Sequence, residues 1–135
     1  MIRFGILTLS DRSSRGERED SSGPALAHLI RAKNWPVVRQ QILPDDESAI
    51  CATLTEWADS GEFDIILTTG STGFAPRDVA PEATRAVIQR DAPGLAETMR
   101  AESLKKTPHA MLSRAIAGIR GRTLIINLPG SPKAP

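Results

Sequence analysis

Apolar positions along this chain follow two different periods. Short runs rich in β-branched residues, each closed by turn formers, occupy positions 3–9, 37–43, 64–69 and 123–128 and predict strands. The runs at 64–69 and 123–128 are apolar enough for burial on both faces. Between the strands, apolar residues recur at helical spacing. Leu26, Leu29 and Ile30 mark a helix over 24–33; Ile50, Leu54, Trp57 and Ala58 mark one over 47–60; Ala83 and Val87 mark one over 81–90. Pro24 and Pro81 suit a first helical turn, where the missing N–H has no intrahelical partner to lose. Two further helices are expected over 95–104 and 110–119, the second because Leu112, Ala115, Ile116 and Ile119 share a helical face, with Gly118 and Gly121 ending it.

Strands separated by helices favour parallel pairing through right-handed crossovers, hence an α/β domain with a mostly parallel central sheet and helices on both faces. Turn formers collect after each predicted strand, at 10–23, 44–46, 70–81 and 129–135. In a parallel sheet these loops share one edge, the carboxyl ends of the strands, where open α/β sheets bind ligands. One crevice built by all of them is the economical expectation.

Composition narrows the function. The 135 residues are 40% apolar and 24% charged, a globular balance, and show no repeat or linker. A net charge of +1 supplies no basic field of the kind duplex nucleic acid selects for. No apolar run is long enough to cross a membrane, and the N-terminus lacks the pattern of a secretory signal, so the cytoplasm is expected. Cys51 has no partner for an intrachain disulfide and reads as a core or near-core residue. His28 and His109 lack a neighbouring ligand at metal spacing, and neither is assigned a catalytic role.

The stretch Thr68-Thr69-Gly70-Ser71-Thr72-Gly73-Phe74-Ala75-Pro76-Arg77-Asp78-Val79 is the most informative. Its glycines permit close ligand approach, and Ser71, Thr72 and the loop N–H groups could hold phosphate oxygens; a ligand-free glycine-rich turn is the alternative. The glycine-lysine signature of P-loop nucleotide hydrolases and the dinucleotide glycine fingerprint are both absent. Asp45 and Asp46 open a helix, so capping explains them; a second reading has carboxylates of Asp45 and Asp78 meeting across the crevice to hold Mg²⁺ against phosphates. Arg77 could be a surface ion pair with its neighbour. Asp11 and Asp20 are either solvated loop residues or ligand contacts, 20–24 is at least a helix-start turn, and Ser131 and Lys133 suit an anionic ligand in what could otherwise be a chain-reversing loop.

Together, Thr8-Leu9-Ser10-Asp11-Arg12, Asp20-Ser21-Ser22-Gly23-Pro24, Leu43-Pro44-Asp45-Asp46, the stretch 68–84 and the stretch 127–134 closely resemble the molybdopterin adenylyltransferase family, the Mog and MoaB type of molybdenum-cofactor proteins. The resemblance covers almost the whole chain and implies a single molybdopterin-binding domain over 1–135, a three-layer α/β sandwich and a homotrimer. It also implies a Mg²⁺-dependent reaction in which ATP adenylylates the terminal phosphate of molybdopterin and pyrophosphate leaves, priming the product for a molybdate-insertion protein. By the same resemblance Asp45 and Asp78 are the catalytic, metal-holding acids, Gly70, Ser71, Thr72 and Gly73 form the phosphate loop, and Ser10, Asp11, Asp20 and Ser131 line the pocket. Ser71, Ala80 and Asp46 stand where the family most often has glycine, threonine and glutamate, and a Cβ at position 71 restricts positive φ while adding a hydroxyl. The chain ends at Pro135, where relatives usually continue into another helical segment. Two other functions are weighed: a MoaB-type protein that binds molybdopterin without catalysing transfer, and a nucleotide-processing protein of the competence/damage-inducible type that shares the domain. The two aspartates weigh against the first, and the second normally joins this domain to another.

Overall fold

A computed structural model describes residues 1–130. The elements run β1 (Phe4–Leu9), α1 (Asp11–Ser14), α2 (Ser22–Ala32), β2 (Val37–Leu43), α3 (Glu47–Asp59), β3 (Ile65–Thr69), α4 (Ala80–Val87), β4 (Arg90–Asp91), α5 (Pro93–Leu104), a 3-10 turn at Pro108–Leu112, β5 (Ala117–Arg120) and β6 (Thr123–Leu128). Among the described residues the six strands form one sheet in the order β2-β1-β3-β6-β5-β4. β1, β2, β3 and β6 pair in parallel, as their helical crossovers require. β5 runs antiparallel to β6, and β4 antiparallel to β5.

Alternation along the central strands sorts side chains into two cores. Leu7, Leu9, Ile66 and Ile125 face Ile50, Leu54 and Trp57 of α3 and Ala83 and Val87 of α4. Phe4, Ile6, Leu67 and Leu128 face Leu26, Ala27 and Ile30 of α2, with Met99 of α5 packed alongside. The result is the expected three-layer α/β sandwich. Cys51 packs against the first core, where burial pushes its thiol up from its ordinary range.

The predicted helix over 110–119 is not there. The chain makes only the 3-10 turn, leaves it at Ser113 in extended conformation, and enters β5. β5 and β6 close as a hairpin with Arg120 opposite Thr123 and Gly121 at φ 59°, so Gly121 turns a hairpin rather than ending a helix. The apolar spacing at 112–119 suits a helical face, but β6 offers an otherwise unpaired edge, and its ladder hydrogen bonds outweigh the local pattern. The same hairpin draws in the two-residue strand β4, which no local signal announces.

Candidate functional site

Parallel register places the ends of β1, β2, β3 and β6 on one edge, and the loops that follow them enclose a cleft of about 520 Å³. Ser10, Asp20, Asp45, Gly70, Ser71, Thr72, Gly73 and Asp78 all line it, joined by Thr8, Arg18, Glu19, Thr69 and Gly130, among others. Ser131, and with it Lys133, lies outside the described residues.

The loop after β3 is built for close approach. Gly70 has φ 96°, and a Cβ there would sit 2.6 Å from the Leu9 carbonyl oxygen, so the position requires glycine. Its N–H donates to the Leu128 carbonyl at 3.0 Å, and the Thr69 hydroxyl donates to the Pro129 carbonyl at 3.0 Å, tying the loop to the end of β6. Ser71 adopts φ 61° despite its Cβ. Its hydroxyl offsets that strain by accepting from Val79 N–H at 2.9 Å and donating to the Arg77 carbonyl at 3.3 Å, while its carbonyl accepts from Ala80 N–H at 3.0 Å. The departure from glycine therefore closes the loop onto α4 instead of distorting it. The N–H groups of Ser71, Thr72 and Gly73 find no partner among the described residues, while all three residues border the cleft. Consecutive free N–H groups form a concavity that favours anions.

Asp45 and Asp46, equivalent in sequence, divide their duties. Asp46 is the N-cap of α3: its side chain accepts from Ser48 N–H at 3.0 Å and Ala49 N–H at 3.4 Å. Capping thus accounts for Asp46 and not for Asp45. Asp45 N–H donates to Asp11 Oδ1 at 2.9 Å, and Asp11 N–H donates to Asp45 Oδ2 at 3.1 Å. Asp45 Oδ1 is buried with no hydrogen-bond partner among the described residues. A carboxylate oxygen in that state is costly unless something positive meets it.

Asp78 lines the cleft from the loop after β3, its Oδ2 accepting from Ala75 N–H at 3.0 Å and lying 2.8 Å from where a Cβ on Gly73 would stand. Arg77 does not pair with it. Its guanidinium forks onto Asp11, with Nε and Nη2 each 2.9 Å from a carboxylate oxygen. That fork, helped by the bond from Asp45 N–H, holds the Asp11 carboxyl below the usual carboxylate range. Asp11, expected to contact the ligand, does not line the cleft, and both its oxygens are engaged in joining the first, second and third loops. Asp20 does line the cleft, but its carboxylate accepts from the Thr8 hydroxyl at 2.8 Å and Gly23 N–H at 3.1 Å, fixing the first turn of α2. Ser10 caps α1, accepting from Ser13 N–H at 3.2 Å.

Two supporting residues were not expected. Asn127 is fully buried; its amide donates to the Thr68 and Thr84 hydroxyls at 2.9 Å each, and its oxygen accepts from Ile116 N–H at 3.2 Å. Arg114 reaches the loop after β3 from the segment expected to be helical. A buried Asn within an apolar strand is a readable hint of such a network; Arg114 carries no local signal. Among the described residues no cluster of three or more His, Cys, Asp or Glu side chains is placed to hold a metal ion.

A three-layer α/β sandwich with a polar cleft at the carboxyl edge of its parallel strands, lined there by a glycine-rich loop and by Asp45 and Asp78, belongs to the class of open α/β proteins whose ligands bind at that edge. The family described as "Probable molybdopterin binding domain" matches residues 5–135, and the chain belongs to it. It is 48% identical to the molybdenum cofactor synthesis protein cinnamon of Drosophila melanogaster over 98% of this chain, but spans only 22% of that protein. It is 44% identical to the molybdopterin adenylyltransferase of Helicobacter pylori strain J99, over 98% of this chain and 77% of the relative. The crystal structure of the molybdopterin biosynthesis enzyme MoaB from Thermus thermophilus superposes with a TM-score of 0.93 at 51% identity, over 99% of this chain and 84% of that one.

Proposed function

We propose that this protein adenylylates molybdopterin. An oxygen of the pterin's terminal phosphate attacks the α-phosphorus of ATP, a new P–O bond forms, the bond to the β-phosphate breaks, and pyrophosphate leaves. The observation that carries this reading is the buried Oδ1 of Asp45, without a partner among the described residues, in a cleft shared with Asp78 and with the N–H groups of Ser71, Thr72 and Gly73, likewise unpaired among them. Such a transfer needs alignment and charge neutralisation rather than a protein nucleophile.

Within that scheme the loop N–H groups bind phosphate oxygens, and Ser10, Thr72 and Asp20 complete the walls. Among the described residues the cleft is lined by Glu19, Asp20, Asp45 and Asp78 against the single cation Arg18, a poor balance for two polyanionic substrates. Mg²⁺ fits this donor set, because it takes hard oxygens, usually from one or two carboxylates and from substrate phosphates. Asp45 and Asp78 would hold it, and when bound it neutralises charge between the phosphates. Asp11 and Arg77 act from behind, holding Asp45 with one oxygen committed and the other free. The same reading places the protein in the cytoplasm as a homotrimer that passes its product to a molybdate-insertion protein.

Purified protein supplied with molybdopterin, ATP and Mg²⁺ is expected to release pyrophosphate and form adenylated pterin. Molybdopterin bound without pyrophosphate release would overturn the transfer and leave a binding protein.

A further inference from the structure

Arg114 makes three hydrogen bonds to the loop after β3, yet it does not line the cleft. Its backbone N–H donates to the Thr72 carbonyl at 2.8 Å. Its Nε donates to the Gly73 carbonyl at 2.7 Å, and Nη2 to the Asp78 carbonyl at 2.7 Å. Nη1 and Nη2 also meet the Glu82 carboxylate, at 2.6 and 3.3 Å.

A trans peptide unit points its carbonyl and its N–H in opposite directions. Holding the Thr72 carbonyl toward Arg114 therefore turns the Gly73 N–H the other way, and holding the Gly73 carbonyl does the same for the Phe74 N–H. Because Arg114 stands outside the cleft and Gly73 borders it, the Gly73 N–H is turned to the cleft side. The alternative orientation would present carbonyl oxygens to a phosphate and repel it. The bond to the Asp78 carbonyl fixes the far end of the same loop, beside one of the two acids.

We propose that Arg114 is a positioning residue for phosphate binding, acting by orienting the peptide units of Thr72 and Gly73; this rests on the phosphate-cradle reading above. Glu82 neutralises the guanidinium, so long-range attraction of the ligand is a small part of its effect. The planar fork is what matters, and lysine cannot reproduce it.

The test uses Mg-ATP and inorganic pyrophosphate as probes, titrated calorimetrically at a temperature where each variant is fully folded by circular dichroism. Arg114→Met is expected to raise the Kd for both about tenfold or more, Arg114→Lys to recover only part of the loss, and Glu82→Gln to stay within about twofold of wild type. A residue serving stability alone would lower the melting temperature and leave both Kd values unmoved. If Arg114→Met does not fold, Arg114→Lys carries the same test. Wild-type binding retained unchanged in the folded Arg114 variants would overturn the role of Arg114 while leaving the cradle standing. Wild-type protein that bound neither probe would overturn the cradle, and the role of Arg114 with it.

Discussion

Asp11 and Asp45 exchange hydrogen bonds reciprocally, each carboxylate accepting the other residue's backbone N–H, at 2.9 and 3.1 Å. The exchange crosslinks the loops after β1 and β2, and the Arg77 fork onto Asp11 adds the loop after β3. Asp45 is thereby presented to the cleft with Oδ2 occupied and Oδ1 buried and unpaired among the described residues. An acid oriented this way is preorganised for a cation or a phosphate-bound proton donor, because its geometry is set before any ligand arrives.

The division between the adjacent aspartates is directly testable. Asp46→Ala removes the cap of α3 and should lower stability by about 1 kcal/mol in urea denaturation, with turnover little changed. Asp45→Asn should fold with near wild-type stability and lose adenylyl transfer. A stable, active Asp45→Asn protein would remove this residue from the mechanism.

Asp78→Asn keeps an oxygen able to accept from Ala75 N–H, so the loop should hold its shape. A neutral amide is a far poorer ligand for a hard cation, and turnover should fall by orders of magnitude while molybdopterin still binds. Single-turnover pyrophosphate release, measured with saturating substrates, reads this out; a rate near that of wild type would contradict it.

Acid should loosen the junction at Asp11. Its folded pKa lies below the unfolded value, so the stabilisation is fully present above about pH 4 and is lost as the pH falls through the lower folded value. Asp11→Asn lacks this contribution. The stability gap between wild type and Asp11→Asn should be constant from about pH 5 to 7 and narrow below about pH 4. A gap unchanged down to about pH 3 would mean that the charge on Asp11 does not hold the loops.

Asn127 satisfies the Thr68 and Thr84 hydroxyls and the Ile116 N–H in the interior. Asn127→Leu would strand these groups in a dry interior and should cost about 3 kcal/mol in chemical denaturation. A loss below about 1 kcal/mol would show that the network is dispensable.

Assembly is open to light scattering at micromolar concentration. The proposed homotrimer should appear as a closed oligomer with the mass of three chains. A species with the mass of one chain would exclude it.

The alternation of β-branched runs with helical spacing was enough, by itself, to place β1, β2, β3 and β6, the helices α2 to α5, and the shared edge where their loops meet. These are consequences of local periodicity and of the handedness of crossovers, and both are written in short windows of sequence. Gly70, Asp45 and Asp78 were legible as candidates for the same reason: each lies in a turn-rich loop at a strand's carboxyl end. What local pattern could not decide was which of Asp45 and Asp46 caps α3, since either can cap a helix, and Asp45 is instead held by a partner 34 residues away, Asp11. The fate of 112–119 was likewise settled by β6, whose free edge outweighed a helical pattern, and that decision in turn carried Arg114 to the loop after β3. Long-range pairing chose among locally equivalent conformations, because buried backbone groups must find partners wherever the fold supplies them.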